Sequence, residues 1–151
     1  MRIAVDDLTS PETIAFLEDH VSELRALSPP ESTHALDLEG LRAPGVVLWT
    51  ARDGDRVVGC AALKTLDVTH AEVKSMRTAT AQSRRGIATR LLTTVIGHAQ
   101  ARGVHRLSLE TGSEPFFAPA RALYARHGFV ECEPFGDYRP DPLSVFMTLE
   151  L

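Results

Sequence analysis

The sequence predicts one α/β (α+β) domain over residues 1–151, a mixed sheet of about seven strands with four helices packed on its faces. Three observations carry that expectation. Patterned segments follow one another in the order β-α-α-β-β-β-α-β-α-β-β, an Asp-Gly turn joins two β-rich runs, and a long segment with a single apolar face lies mid-chain.

Arg2 to Val5 reads as a short strand, and Thr9-Ser10-Pro11-Glu12 opens a helix with a capping hydroxyl, an early proline and an early acid. Ile14, Leu17, Val21 and Leu24 give that helix one apolar face. A second, short helix falls around Ala35 to Leu41 and is closed by Pro44-Gly45. Val46 to Ala51 and Arg56 to Leu66 form a hairpin through Arg52-Asp53-Gly54-Asp55. Glu72 to Thr78 follows as a strand. The long helix runs from about Arg84 to Arg102, with Ile87, Leu91, Leu92, Val95, Ile96 and Ala99 on its buried face and Gly103 as its stop. Arg106 to Thr111 alternates as a strand, Pro119 begins a helix that ends at His127-Gly128, and Phe129 to Glu131 and Ser144 to Leu149 supply two last strands.

Composition narrows the function classes. The chain carries 16 Lys+Arg against 20 Asp+Glu, a net charge of −4, which argues against a nucleic-acid binder with its basic footprint. Val57 to Leu63, the longest apolar stretch, is far below the roughly 20 residues that span a bilayer, and the N-terminus has no apolar core of a signal peptide. Neither a membrane partner nor secretion is expected. Cys60 and Cys132 stand far apart and in no ligand pattern, so the expected compartment is the reducing cytoplasm. The histidines at 20, 34, 70, 98, 105 and 127 match no metal-ligand spacing, and no metal is expected. Cys60 and Trp49 read as core residues.

The most informative stretch is Thr80 to Arg90, where a strand hands over to a helix through a turn rich in small residues. A helix N-terminus offers unpaired N–H groups and about half a positive charge. Here Arg84, Arg85 and Arg90 crowd that end, and no acid occurs between Ala79 and Leu109. Such a pattern suits a bound pyrophosphate, although arginines on a solvated helix give the same pattern. Walker-type and dinucleotide-binding glycine motifs are absent.

Two stretches resemble the GNAT family of N-acetyltransferases, which move an acetyl group from acetyl-CoA to an amine. Glu72-Val-Lys-Ser-Met-Arg-Thr78 followed by Ser83-Arg84-Arg85-Gly86-Ile87-Ala88 is similar to the family's fourth strand and its [QR]-x-x-G-x-[GA] loop, with Ser83 where Gln or Arg is usual. Ala122-Leu-Tyr-Ala-Arg-His-Gly-Phe129 is similar to the family's A-x-x-L-Y-x-x-x-G-F segment, with Phe117 where many members carry Asn. The resemblance covers nearly the whole chain. It implies the GNAT acyl-CoA N-acyltransferase fold, with a mostly antiparallel sheet, and acetyl-CoA as co-substrate.

The resemblance also implies roles. Tyr124 would be the acid that reprotonates the departing thiolate, and Glu72 the base, with Glu110 on the next strand competing for that part. Met76, Arg77 and Thr78 would meet pantetheine, the Met76 N–H serving as oxyanion donor. Ser83, Arg84, Arg85, Gly86, Ile87, Ala88 and Thr89 would surround the pyrophosphate, with Phe117 nearby. Strand alternation places Lys74 and Met76 on the face of Glu72. Glu110, Asp137 and Tyr138 are candidate acceptor-binding residues, because the run from Glu131 to Asp141 is acidic and is either a solvated loop or a lip that attracts a cationic amine. The expected reaction is direct acetyl transfer to a small-molecule or peptide amine in a ternary complex. A non-catalytic CoA-binding sensor, or an enzyme using another acyl-CoA or acceptor, fits the same motifs. Homodimers are common in the family, and no exposed apolar stripe in this sequence compels one.

Overall fold

A computed structural model describes residues 1–29, 36–79 and 86–151. Its elements follow the expected order: β1 (Arg2–Val5), α1 (Pro11–Leu27), α2 (Leu38–Leu41), β2 (Val46–Asp53), β3 (Arg56–Thr65), β4 (His70–Thr78), α3 (Ile87–Ala101), β5 (Arg106–Gly112), a 3-10 turn (Pro115–Phe117), α4 (Ala118–Arg126), β6 (Val130–Glu131) and β7 (Ser144–Glu150). The strands form one seven-stranded sheet in the order β1-β2-β3-β4-β5-β7-β6. Every neighbouring pair is antiparallel except β4 and β5. Among the described residues, no helix is long and apolar enough to cross a membrane.

Local chemistry accounts for the element ends. The Ser10 hydroxyl accepts from the Thr13 N–H at 3.2 Å and caps α1, while Pro11 stands at its first position, where a missing N–H costs nothing. The β2–β3 hairpin closes through Gly54 and Asp55 between the paired Asp53 and Arg56, with positive φ at Gly54, the first central residue, as a II′ turn requires. The expected start of α3 at Arg84 lies outside the described residues; the described helix begins at Ile87, after Gly86 at φ +76°.

Helices cover the two faces separately. On one face Leu17 of α1, Leu41 of α2 and Leu8 from the connection before α1 pack against Leu48, Cys60 and Ala62. On the other, Ile87, Leu91, Leu92, Val95 and Ala99 of α3 and Leu123 and Tyr124 of α4 pack against Trp49, Val58, Leu63, Val73, Leu107 and Leu109. Each fully buried Leu or Val contributes about 1.5–3 kcal/mol. Cys60 is fully buried, and burial pushes its thiol up to about 12, which suits a core residue and not a nucleophile.

Candidate active site

The site arises where the sheet comes apart. β4 pairs with β5 only through His70↔Arg106, Ala71↔Leu107 and Glu72↔Ser108. β3 holds β4 along its length and β7 holds all seven residues of β5, so beyond Glu72 the two central strands separate. A bulge assists the divergence: the register passes from Ala62↔Lys74 to Cys60↔Arg77, leaving Ser75 and Met76 opposite Ala61. Ser75 takes a φ of +55°, uncommon for a residue with a Cβ, and its carbonyl accepts from the Cys60 thiol at 3.0 Å.

This bulge overturns one expectation. Alternation places Met76 on the face of Glu72 and Lys74. The extra residue reverses the parity, so Met76 packs with the α3 core while Arg77 turns to α1, where it pairs with Glu23 at 3.1 Å and lies over the Phe16 ring.

A cavity of about 120 Å³ fills the opening. It is walled by His20 and Leu24 of α1 and its cap residue Ser28, by Glu72 to Met76 of β4, by Glu110 to Gly112 of β5, and by Phe117, Ala120, Tyr124 and Leu143. Because α1 and α4 lie on opposite faces, the cavity passes through the sheet. Phe117 sits so closely over Gly112 that a Cβ there would enter its ring, and Arg121 fixes the connection by donating to the Gly112 and Glu114 carbonyls at 2.6 and 3.0 Å.

The two candidate bases differ in their surroundings. Glu72 is buried, and one of its oxygens accepts from the Tyr138 hydroxyl at 2.5 Å and from Lys74 Nζ at 3.2 Å, while Lys74 also donates to Tyr138 at 2.8 Å. Glu110 accepts from the Ser144 hydroxyl at 2.6 Å. Burial pushes its carboxyl up to about 7; the Ser144 hydrogen bond and the Lys74 charge oppose this, and the Glu72 and Asp141 charges add to it. Tyr124 is buried, and desolvation, then the charge of Glu110, raises its hydroxyl above the ordinary range, so it stays protonated. Burial and the Glu72 charge do the same to Tyr138.

Glu72, Met76, Glu110, Phe117 and Tyr124 therefore meet at one cavity, and Tyr138 reaches it through Glu72. Asp137 is exposed and does not line it, nor does the Arg77 side chain. Ser83, Arg84 and Arg85 lie outside the described residues. Gly86 caps α3 without a side-chain hydrogen bond, and no acid occupies the first turn. Ile87 gives its side chain to the core, which leaves its backbone for a ligand, and Thr89 is exposed. Sequence reasoning missed His20, Ser144 and Arg121. No local pattern marks them, since each acts on an element distant in the chain. Among the described residues no cluster of three or more His, Cys, Asp or Glu side chains could hold a metal ion.

The chain is similar along its whole length to known acetyltransferases. It is 50% identical over 151 residues to the uncharacterized N-acetyltransferase YsnE of Bacillus subtilis, covering 100% of both chains. It is 37% identical over 153 residues to the IAA acetyltransferase of Azospirillum brasilense, covering 100% of this chain and 98% of that protein. A structure from Klebsiella pneumoniae assigned as an acyl-CoA N-acyltransferase superposes with a TM-score of 0.80 at 31% identity, covering 99% of this chain and 97% of the other. An aminoglycoside 6'-N-acetyltransferase complexed with coenzyme A shares the fold, at TM-score 0.72 and 17% identity, over 99% and 97% of the two chains. The model of the Acetyltransferase (GNAT) family matches residues 12–129, and the chain belongs to that family.

Proposed function

We propose that the protein is an acetyl-CoA-dependent N-acetyltransferase that moves the acetyl group to the amine of a small molecule by direct transfer in a ternary complex. The observation that carries the reading is the cavity through the split sheet, with a carboxyl held near 7 and a protonated phenol at one opening. Acetyl-CoA enters from the α3/α4 side. Met76 and Thr78 pair with the pantetheine amides as an added strand would, and Ser83 to Thr89 surround the pyrophosphate with backbone N–H groups and the Arg84 and Arg85 charges. The acceptor enters from the α1 side.

Glu110 is the base of this scheme. A base with a pKa near the working pH combines a sizeable deprotonated fraction with useful driving force. Glu72 has its carboxylate engaged by Lys74 and Tyr138, and it serves to position them. As the amine nitrogen bonds to the thioester carbon, Glu110 takes the proton the nitrogen sheds, and the Met76 N–H meets the charge developing on the carbonyl oxygen. When the C–S bond breaks, the Tyr124 hydroxyl gives its proton to the sulfur. The buried phenol is a weaker acid than an ordinary one near 10, so the transfer to a thiolate near 8.5 runs uphill, and the proton taken by Glu110 eases it by removing one of the charges that raise the phenol. Tyr138 and Asp141 form the inner part of an acidic lip, with Asp137 on its exposed side.

Calorimetric titration with acetyl-CoA tests the reading, beside an Arg84→Glu/Arg85→Glu variant. Binding by the wild type that the variant loses, followed by thiol release in an amine screen, is the expected result. A wild type that does not bind acetyl-CoA refutes it.

A further inference from the structure

The α1 wall of the cavity holds a group that the proposed chemistry leaves unused. His20, Leu24 and Ser28 recur every four residues, so they form one stripe of the helix, and all three line the cavity across from Glu72 and Lys74. Leu24 is apolar, and the Ser28 hydroxyl donates to Glu114 at 3.2 Å. His20 differs from both. Its ring is partly buried, and among the described residues neither nitrogen has a hydrogen-bond partner. An imidazole at a cavity wall without an internal partner presents one donor and one acceptor to whatever fills the cavity.

The groups around His20 define what it can receive. The Arg77 guanidinium, paired with Glu23 and stacked on Phe16, lies close enough to act on it, and Glu72, Lys74 and Glu110 line the same cavity. Burial and the Arg77 charge hold the ring neutral, its pKa lowered to about 4. A neutral ring offers no charge to a carboxylate or phosphate and matches an uncharged hydroxyl. Leu24 and Leu143 supply apolar wall for a short carbon chain. The cavity, of about 120 Å³, suits a compact acceptor.

We propose that His20 is the specificity-determining residue of the acceptor site and that it hydrogen-bonds a hydroxyl on a compact primary amine, making short amino alcohols the acceptor class. The proposal rests on the acetyl-transfer reading above. Isosteric pairs of probes test it: ethanolamine against n-propylamine, and propanolamine against n-butylamine, followed by thiol release from acetyl-CoA. The wild type is expected to favour the hydroxylated member by about tenfold in kcat/KM, the worth of a neutral hydrogen bond at the upper end of its range. His20→Phe, which keeps a flat ring without its nitrogens, brings that ratio to about one, and His20→Gln restores part of it. Calorimetric affinity for acetyl-CoA stays unchanged in both variants, which also reports that they are folded. An unchanged ratio in His20→Phe, a wild-type preference for the alkylamine, or turnover of neither pair overturns the proposal. In each case acetyl-CoA binding by the wild type separates that failure from a failure of the transferase reading.

Discussion

Removing the Ser144 hydroxyl moves the pH at which the enzyme becomes active. Glu110 is held at about 7 by opposing influences, burial pushing it up and the 2.6 Å hydrogen bond from Ser144 pulling it down. A hydrogen bond to an ionised carboxylate contributes about 1.5–3 kcal/mol, and one pKa unit corresponds to about 1.4 kcal/mol. Ser144→Ala strips that support from the charged form alone. The acid limb of the kcat profile therefore rises by about one to two units. The assay is kcat against pH at saturating acetyl-CoA and saturating amine, which reports groups in the ternary complex and excludes titration of the free amine. Glu110→Gln abolishes the limb and lowers kcat by about 10²–10⁴-fold. An acid limb that stays in place in Ser144→Ala, or survives in Glu110→Gln, refutes the assignment of Glu110 as base.

Three further outcomes follow from the same geometry. The Glu110 carboxyl titrates near 7 folded against an ordinary 4.5, so between those values the folded state binds more protons and stability falls as pH rises, by about 3 kcal/mol in full; Glu110→Gln accordingly melts above the wild type at pH 8 and gains nothing at pH 4, and an equal gap at both would contradict it. Tyr124→Phe lowers kcat by on the order of 10²-fold with acetyl-CoA affinity nearly intact, the pattern of a lost proton donor, whereas undiminished turnover excludes Tyr124 as the acid. Gly112→Ala drives a methyl into the Phe117 ring and destabilises the fold by about 1–3 kcal/mol, measured by denaturant melts, with weaker acetyl-CoA binding as Phe117 is displaced.

The strands and helices were legible because their signals are local. Ser10 and Pro11, Asp53-Gly54 and the α3 stripe of Ile87, Leu91, Leu92 and Val95 each place an element within a few residues. The split in the sheet was not legible, because it depends on which neighbours hold β4 and β5. Nothing in Lys74-Ser75-Met76 marks a bulge, since no glycine or proline interrupts the run, and the parity of Met76 came out reversed. The choice between two carboxylates was not legible at all. Both stand on strands at alternating positions, and what separates them is Tyr138, 66 residues from Glu72, and Ser144, 34 residues from Glu110. His20 was hidden in the same way, because a lone histidine on an amphipathic helix gives no hint of the opening it faces.

The aperture between β4 and β5 divides the protein's inheritance as well as its interior. Side chains of α1 and of the connection before β7 reach the opening from one face, and those of α4 and the α3 N-terminus lie on the other. On the proposed reading, changes on the first face would alter which amine is taken without disturbing a cofactor gripped from the second. One scaffold would then be re-addressed to new acceptors by drift at a few positions, with the acyl donor kept constant, and chimeras that exchange only α1 between relatives would inherit the acceptor choice of the donor helix.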